Sequence, residues 1–285
     1  MRYSTMIRCV GGKTPENFFA FLDYLRETPF TAVNLSFNDT PWLFEDGFDV
    51  GGFIRRFRAY GFGLRFAHGP MAYPALFDRS PFRAIDGRVL KGLDLAAAFG
   101  VAAYTIHPGS VVDDGLVYDR DASAERNVAY LRPFVAKAAE LGVTVGLENG
   151  INQPWDDPEL PLRQISPDFD ELITVVDALR DEFGRDAVGV CFDTGHCHIA
   201  GLDPYRELKK IGGRLCMTHV HDNDGDRDRH LPVGEGTFDW GGFRRGLAEI
   251  GYDGELSLEL YYESEIWEGD AAAYLTKTYR GLRGI

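Results

Sequence analysis

The sequence is poor in several things, and each scarcity removes a class of function. Its 285 residues include four cysteines, Cys9, Cys191, Cys197 and Cys216, with no CxxC pair among them. A disulfide framework or a cysteine-rich zinc module is therefore not expected, and reduced thiols in a cytoplasmic protein are the simplest account. Basic residues are outnumbered: 30 Lys and Arg against 44 Asp and Glu give a formal net charge of −14. Such a chain repels nucleic acid and anionic membrane. No apolar run is long enough to span a bilayer, and MRYSTMIRCVGG lacks the apolar stretch of a secretory leader. No GxGxxG or GxxxxGK fingerprint follows a β-rich run, which disfavours a nucleotide fold.

What is present is alternation. Candidate strands fall at Tyr3–Cys9, Thr31–Phe37, Gly63–His68, Ala102–His107, Thr144–Glu148, Ala187–Asp193, Arg214–His221 and Glu255–Leu260. Between them the apolar residues recur at helical spacing. Thr14-Pro15, Ser80-Pro81, Ser166-Pro167 and Asp203-Pro204 each set a capping side chain before a proline of the first helical turn. Gly61, Gly100, Gly142 and Gly251 punctuate the return to the next strand. Eight such units with no linker between them predict an α/β fold, a closed (β/α)8 TIM barrel, with residues 1–285 as a single domain.

The expected strand ends carry the chemistry. They finish at His68 in FAHGP, His107 in YTIHPGS, Glu148 in VGLENG, Asp193 in VCFDTGHCH and His219 with His221 in HVH, while Glu259 lies in LSLELYY. In a barrel these ends converge on one face. A lone histidine at a strand end is usually structural. A carboxylate inside an apolar run is harder to dismiss, because burying it unpaired costs several kcal/mol. Glu148, Asp193 and Glu259 all need a cation or strong donors, and the nearby histidines make a metal centre the better account. His219 and His221, two apart on one strand, point the same way, and either could be the ligand. His196 follows Asp193 on the turn leaving the strand and can face the pocket, whereas His198 reads as structural.

The segment DNDGDRD invites a calcium reading, with Asp224, Asp226, Asp228 and Glu235 in register for an EF-hand loop. The position that needs glycine is Arg229, and His230 and Pro232 fall inside the loop. Imidazole among carboxylates suits zinc, manganese, iron or cobalt better. Asp222 and Asp224 are expected to be solvated or to support ligands from behind. The stretch NQPWDDPELPLRQ, rich in proline and acid, is a candidate rim in which Trp155 and Arg163 could meet substrate.

In combination IHPGS, LEN, FDTGHCHIAG, HVHDND, DRH followed by GEG, and LELYY resemble the xylose-isomerase-like TIM barrel superfamily. That group holds the sugar phosphate isomerases and epimerases and the endonuclease IV-like AP endonucleases of family 2. The resemblance to the sugar enzymes implies one divalent metal (Mn, Zn, Co or Mg) on Glu148, Asp193, His219 and Glu259. His219 precedes Asp222 by the family's spacing, and His221 precedes Asp224 in the same way. The same resemblance implies an isomerase or epimerase of a sugar, or of a sugar- or polyol-derived keto compound. It would work through an enediolate, with Glu148 and Glu259 moving the proton.

Endonuclease IV holds two further zinc ions, at positions that match His68, His107, His196, Asp228 and His230. That resemblance implies the alternative, a zinc phosphoesterase with up to three metals. The charge argues against DNA as its substrate. In the sugar enzymes the extra histidines, His221 and His230 among them, would bind substrate hydroxyls. The expected partner is a small molecule, with neither nucleic acid nor membrane, in a possible homo-oligomer.

Overall fold

The computed structural model describes residues 1–9, 11–70, 82–109, 119–151, 168–260 and 270–285. Eight parallel strands close on themselves in chain order: β1 (Arg2–Met6), β2 (Ala32–Ser36), β3 (Gly63–His68), β4 (Ala103–Ile106), β5 (Thr144–Glu148), β6 (Val188–Asp193), β7 (Leu215–Val220) and β8 (Glu255–Leu258). Closure is explicit where β8 returns to β1, with Glu255 through Leu258 set against Arg2 through Thr5. The helices between them are α1 (Pro15–Leu25), α2 (Val50–Arg58), α3 (Phe82–Phe99), α4 (Arg120–Leu141), α5 (Phe169–Phe183), α6 (Thr194–Ile199), α7 (Pro204–Ile211), α8 (Trp240–Glu249) and α9 (Ala271–Arg283). The fold is the (β/α)8 barrel expected of the alternation. Among the described residues no helix is long and apolar enough to cross a membrane.

Several helix starts are those expected. Thr14 accepts from the backbone of Asn17, and Asp203 from Tyr205 and Arg206, each ahead of a proline in the first turn. The Ser80-Pro81 and Ser166-Pro167 signals lie outside the described residues, and α5 is capped by Asp168. The strands end a little earlier than the apolar runs suggest. His107, His221 and Glu259 each stand one residue past a strand, although Glu259 still donates its N–H to the Val220 carbonyl at 3.1 Å.

The period of two sorts the strand residues. Val33, Leu35, Tyr104, Val145, Leu147, Val190, Phe192, Leu256 and Leu258 belong to the large core between strands and helices. A separate buried cluster of Phe66, Ala103, Cys191 and Met217 fills the inside of the barrel. Gly146 makes room for it, since a Cβ there would stand 2.5 Å from the Met217 sulfur. Stepping two residues onward from Phe66, Cys191 and Met217 reaches His68, Asp193 and His219. The packing that forms the inner floor therefore also aims the chemistry at the mouth.

Candidate metal centre

Six of the chain's seven histidines gather at this mouth, and all six are buried. His68, Glu148, His219 and Glu259 each offer an atom within 4.8 Å of the others, and so do Glu148, Asp193 and His196, and His221, Asp228 and His230. Glu148 belongs to two groups. Its Oε2 lies 3.1 Å from His107 Nε2 and 3.5 Å from His68 Nε2, and its Oε1 lies 3.2 Å from His219 Nδ1 and 3.5 Å from His196 Nδ1. Of the four residues expected to share one metal, Glu148, His219 and Glu259 stand together, and Asp193 stands with Glu148 and His196.

His219 and His221, equivalent in the sequence, differ in place. His219 Nδ1 reaches Glu259 Oε2 at 2.9 Å. His221 Nε2 lies 3.0 Å from both oxygens of Asp193 and stacks on His230 at 4.0 Å. Its ring lies over Gly195, where a Cβ would stand 1.9 Å from His221 Cε1. His196 sits in the first turn of α6 and not on a free turn.

Proton placement shows whether these residues suit a cation. A backbone carbonyl can only accept, so a ring nitrogen bonded to one carries the hydrogen. His68 Nδ1 donates to the Gly69 carbonyl, His196 Nδ1 to that of Asn149 and His230 Nδ1 to that of Glu259, each at 2.7 Å. In each ring Nε2 then turns to a carboxylate: His68 to Glu148 at 3.5 Å, His196 to Asp228 at 3.5 Å and His230 to Asp228 at 2.9 Å. For His219 the outer partner of Nε2 is Thr105 Oγ1 at 3.4 Å, and the Thr105 hydroxyl itself points to the Met217 sulfur. His219 Nδ1 and Asp228 Oδ1 are buried with no hydrogen bond among the described residues. Lone pairs facing carboxylates at this range repel unless a proton or a cation lies between them. Rings anchored on one nitrogen with the other turned inward are the arrangement that metal ligands adopt. The residues fit a divalent cation.

The titration shifts follow. Burial disfavours charge on His219, yet Cys191, Glu259 and Glu148 beside it outweigh burial and raise its pKa well above 6.5. His196 is raised likewise, against its burial, by Asp193, Asp228 and Glu148. Burial alone would raise Glu148 and Glu259, but the facing histidines, His219 foremost, hold both well below the usual carboxylate range. His107 goes the other way, because burial outweighs its contact with Glu148.

Several working residues were not picked out as such by the sequence. Asp222, expected to be solvated or to support ligands from behind, is wholly buried. Its Oδ1 accepts from the N–H groups of Asn223 and Phe238, its Oδ2 from Gly234 N and Trp240 Nε1, and its backbone forms an antiparallel bridge with Leu231. This folds residues 222–240 back so that Asp228 and His230 re-enter the mouth. His230 has φ 48°, and among the described residues it is the one non-glycine with positive φ. Asn149 donates to the Asp193 carbonyl and accepts from its N–H. Arg8, past the end of β1, bonds Glu259. Asp224 and Asp226 are exposed and pair with Arg229, as solvated acids would. His198 lies in α6 against the edge of Phe238. Trp155 and Arg163 lie outside the described residues.

A closed parallel barrel with acidic and imidazole groups converging at the C-terminal ends of its strands defines a class of α/β barrel with a candidate metal centre. The chain belongs to the xylose isomerase-like TIM barrel family, whose model matches residues 22–280. The uncharacterized protein MJ1311 of Methanocaldococcus jannaschii is 30% identical over 156 residues, 54% of this chain and 49% of that one. The uncharacterized protein y4fM of Sinorhizobium fredii is 26% identical over 169 residues, 59% and 50% of the two chains. The chain thus spans about half the length of the curated relatives it matches. Among solved structures, a D-tagatose 3-epimerase-like protein superposes with TM-score 0.76 at 20% identity, over 99% of this chain and 98% of that one. IOLI protein with a zinc atom bound gives 0.74 at 16% identity over 97% and 95%. D-Allulose 3-epimerase from Methylomonas sp., solved with D-allulose, gives 0.69 at 17% identity over 98% and 97%.

Proposed function

We propose that the protein is a divalent-metal-dependent isomerase or epimerase of a sugar, or of a sugar- or polyol-derived keto compound. The observation that carries the reading is the convergence of Glu148 Oε1 and Glu259 Oε2 on one imidazole nitrogen, His219 Nδ1, at 3.2 and 2.9 Å. Glu148, His219 and Glu259, with Asp193 beside Glu148, would hold the metal. The bound cation would supply Lewis-acid polarisation of a substrate carbonyl. The chain supplies the rest. Glu148 and Glu259, held ionised by their histidine partners, stand ready as bases beside His219. One would remove the proton beside the carbonyl, and the other, first protonated from solvent, would deliver a proton to the opposite face. Support comes from the sugar 3-epimerases and the zinc-bound IOLI protein that share the fold.

The preferred substrate is a small molecule, because a net charge of −14 opposes nucleic acid. Four free cysteines suit a cytoplasmic protein. The reading is tested by incubating candidate ketoses with metal-loaded protein in deuterated water. Deuterium should enter the carbon beside the carbonyl, and Glu259→Gln should abolish this. Retained exchange in that variant would sink the assignment.

A second reading, a zinc phosphoesterase with several metals, is favoured by one observation: the ligating atoms fall into three groups and not one. Elemental analysis of protein purified without chelator separates the two. One metal per chain supports the isomerase, and three supports the phosphoesterase.

A further inference from the structure

The two carboxylates assigned to proton transfer are held differently. Glu148 turns both oxygens to imidazoles, Oε2 to His107 and His68 and Oε1 to His219 and His196. Glu259 divides its oxygens. Oε2 faces His219 Nδ1 at 2.9 Å, and Oε1 faces the guanidinium of Arg8, whose Nη2 stands 3.3 Å away. Arg8 has little freedom to leave. Its Nη1 donates to Asp39 Oδ2 at 3.0 Å and its Nε to the Leu260 carbonyl at 3.1 Å, with its side chain only 13% exposed. The acceptors come from three places in the fold: the end of β2, the carboxylate of Glu259 and the backbone one residue further on. A planar fork of donors spans such a set, and a single ammonium cannot. Asp39 also balances the charge that Arg8 brings beside the centre, so the guanidinium is not a net repellent for a cation.

Resting on the metal-dependent reading above, we propose that Arg8 is a positioning residue for Glu259. By holding Oε1 away from the centre, it restricts Glu259 to one ligating oxygen, Oε2. Without that restraint both oxygens of Glu259 can turn inward and chelate. A chelating carboxylate raises the coordination number and takes the place that a substrate oxygen needs. The carboxylate also loses the orientation from which it exchanges a proton with substrate.

Cobalt(II) alone, added to the full-length metal-free chain, tests this without any substrate, because its visible absorption weakens as coordination number rises. Wild type, Arg8→Met and Arg8→Lys are compared at equal cobalt content, with near-ultraviolet circular dichroism to verify the fold. Both variants should absorb at least about twofold less per bound cobalt than wild type. In a Glu259→Gln background the Arg8 substitutions should change nothing further, whereas a general distortion of the barrel would alter both backgrounds. Arg8→Lys keeps the charge beside Asp39 and decides the matter if Arg8→Met does not fold. Cobalt uptake with identical spectra in wild type and the Arg8 variants overturns the Arg8 assignment alone. Wild-type protein that takes up no cobalt overturns the metal-dependent reading and this inference with it.

Discussion

Trp240 Nε1 donates to Asp222 Oδ2 at 2.9 Å, joining the first residue of α8 to a carboxylate just past β7. With three backbone donors on the same carboxylate, this bond fixes the loop that returns Asp228 and His230 to the mouth. Asp222→Ala strands several donors at once and should cost about 3 kcal/mol in urea unfolding, against about 1 kcal/mol for Trp240→Phe. On the several-metal reading, metal bound through Asp228 and His230 should be lost from Asp222→Ala before metal bound through Glu148 and Glu259. Equal loss from both would refute the positioning role.

Asn149 adds one more rung between β5 and β6, made by a side chain instead of a backbone. Its amide donates to the Asp193 carbonyl at 3.1 Å and accepts from the Asp193 N–H at 2.7 Å. Asn149→Ala should destabilise the fold by about 2 kcal/mol. Asn149→Asp keeps the acceptor but sets a charge against a carbonyl, and it should be no better. A chemical-denaturation midpoint unchanged in Asn149→Ala would contradict this account.

Gly195→Ala forces a Cβ to 1.9 Å from His221 Cε1 and 2.8 Å from Asn223 Nδ2. The imidazole must tilt away and release Asp193, which it now holds through both oxygens at 3.0 Å. A loss of about 1–3 kcal/mol is expected from the overpacking, together with metal affinity at least about tenfold weaker, as for other disturbed supports of a ligand. Metal titration by calorimetry would show otherwise if His221 merely fills space.

The pH response of the metal-free protein follows from the direction of each shift. Glu148 and Glu259 are depressed below 4.5, so their contribution to stability is complete above that value and is lost as pH falls through their folded pKa values. His196, His219 and His221 are raised above 6.5, so theirs is complete below that value and is lost as pH rises through their folded pKa values. Thermal stability without metal should therefore peak between about pH 4.5 and 6.5 and decline on the alkaline side. Saturating metal should abolish the alkaline decline, because the cation replaces the protons, and proton release on binding should be measurable in weakly buffered solution. A metal-free melting temperature that rises steadily from pH 6 to 9 would exclude this linkage.

The barrel was legible because eight apolar runs alternate with capped helices, and the strand-end residues because a period of two fixes which side they face. Glu148, Asp193 and Glu259 stood out by being charged inside apolar runs. Thr105, Asn149, Asp222 and Arg8 did not. Each matters through partners that the chain brings in from elsewhere, 114 residues away for Thr105 and His219 and 251 for Arg8 and Glu259. No local pattern encodes such a pair. The acids after HVH mislead for the same reason: Asp222 and Asp224 look alike in sequence, but one is buried on four donors and the other lies in solvent beside Arg229. His219 and His221 look alike in sequence and differ in their neighbours, Glu148 and Glu259 for one and Asp193 and His230 for the other.

The concentration of imidazoles at the mouth has a use beyond chemistry. With seven histidines in the chain and six of them there, selective nitrogen-15 labelling of histidine turns the protein into its own reporter. Nearly every ring signal in such a spectrum would come from the mouth, and His198 supplies an internal standard from α6. Each added equivalent of metal would be read as the particular rings whose resonances shift, so whether one group or several take up metal becomes visible without touching a residue.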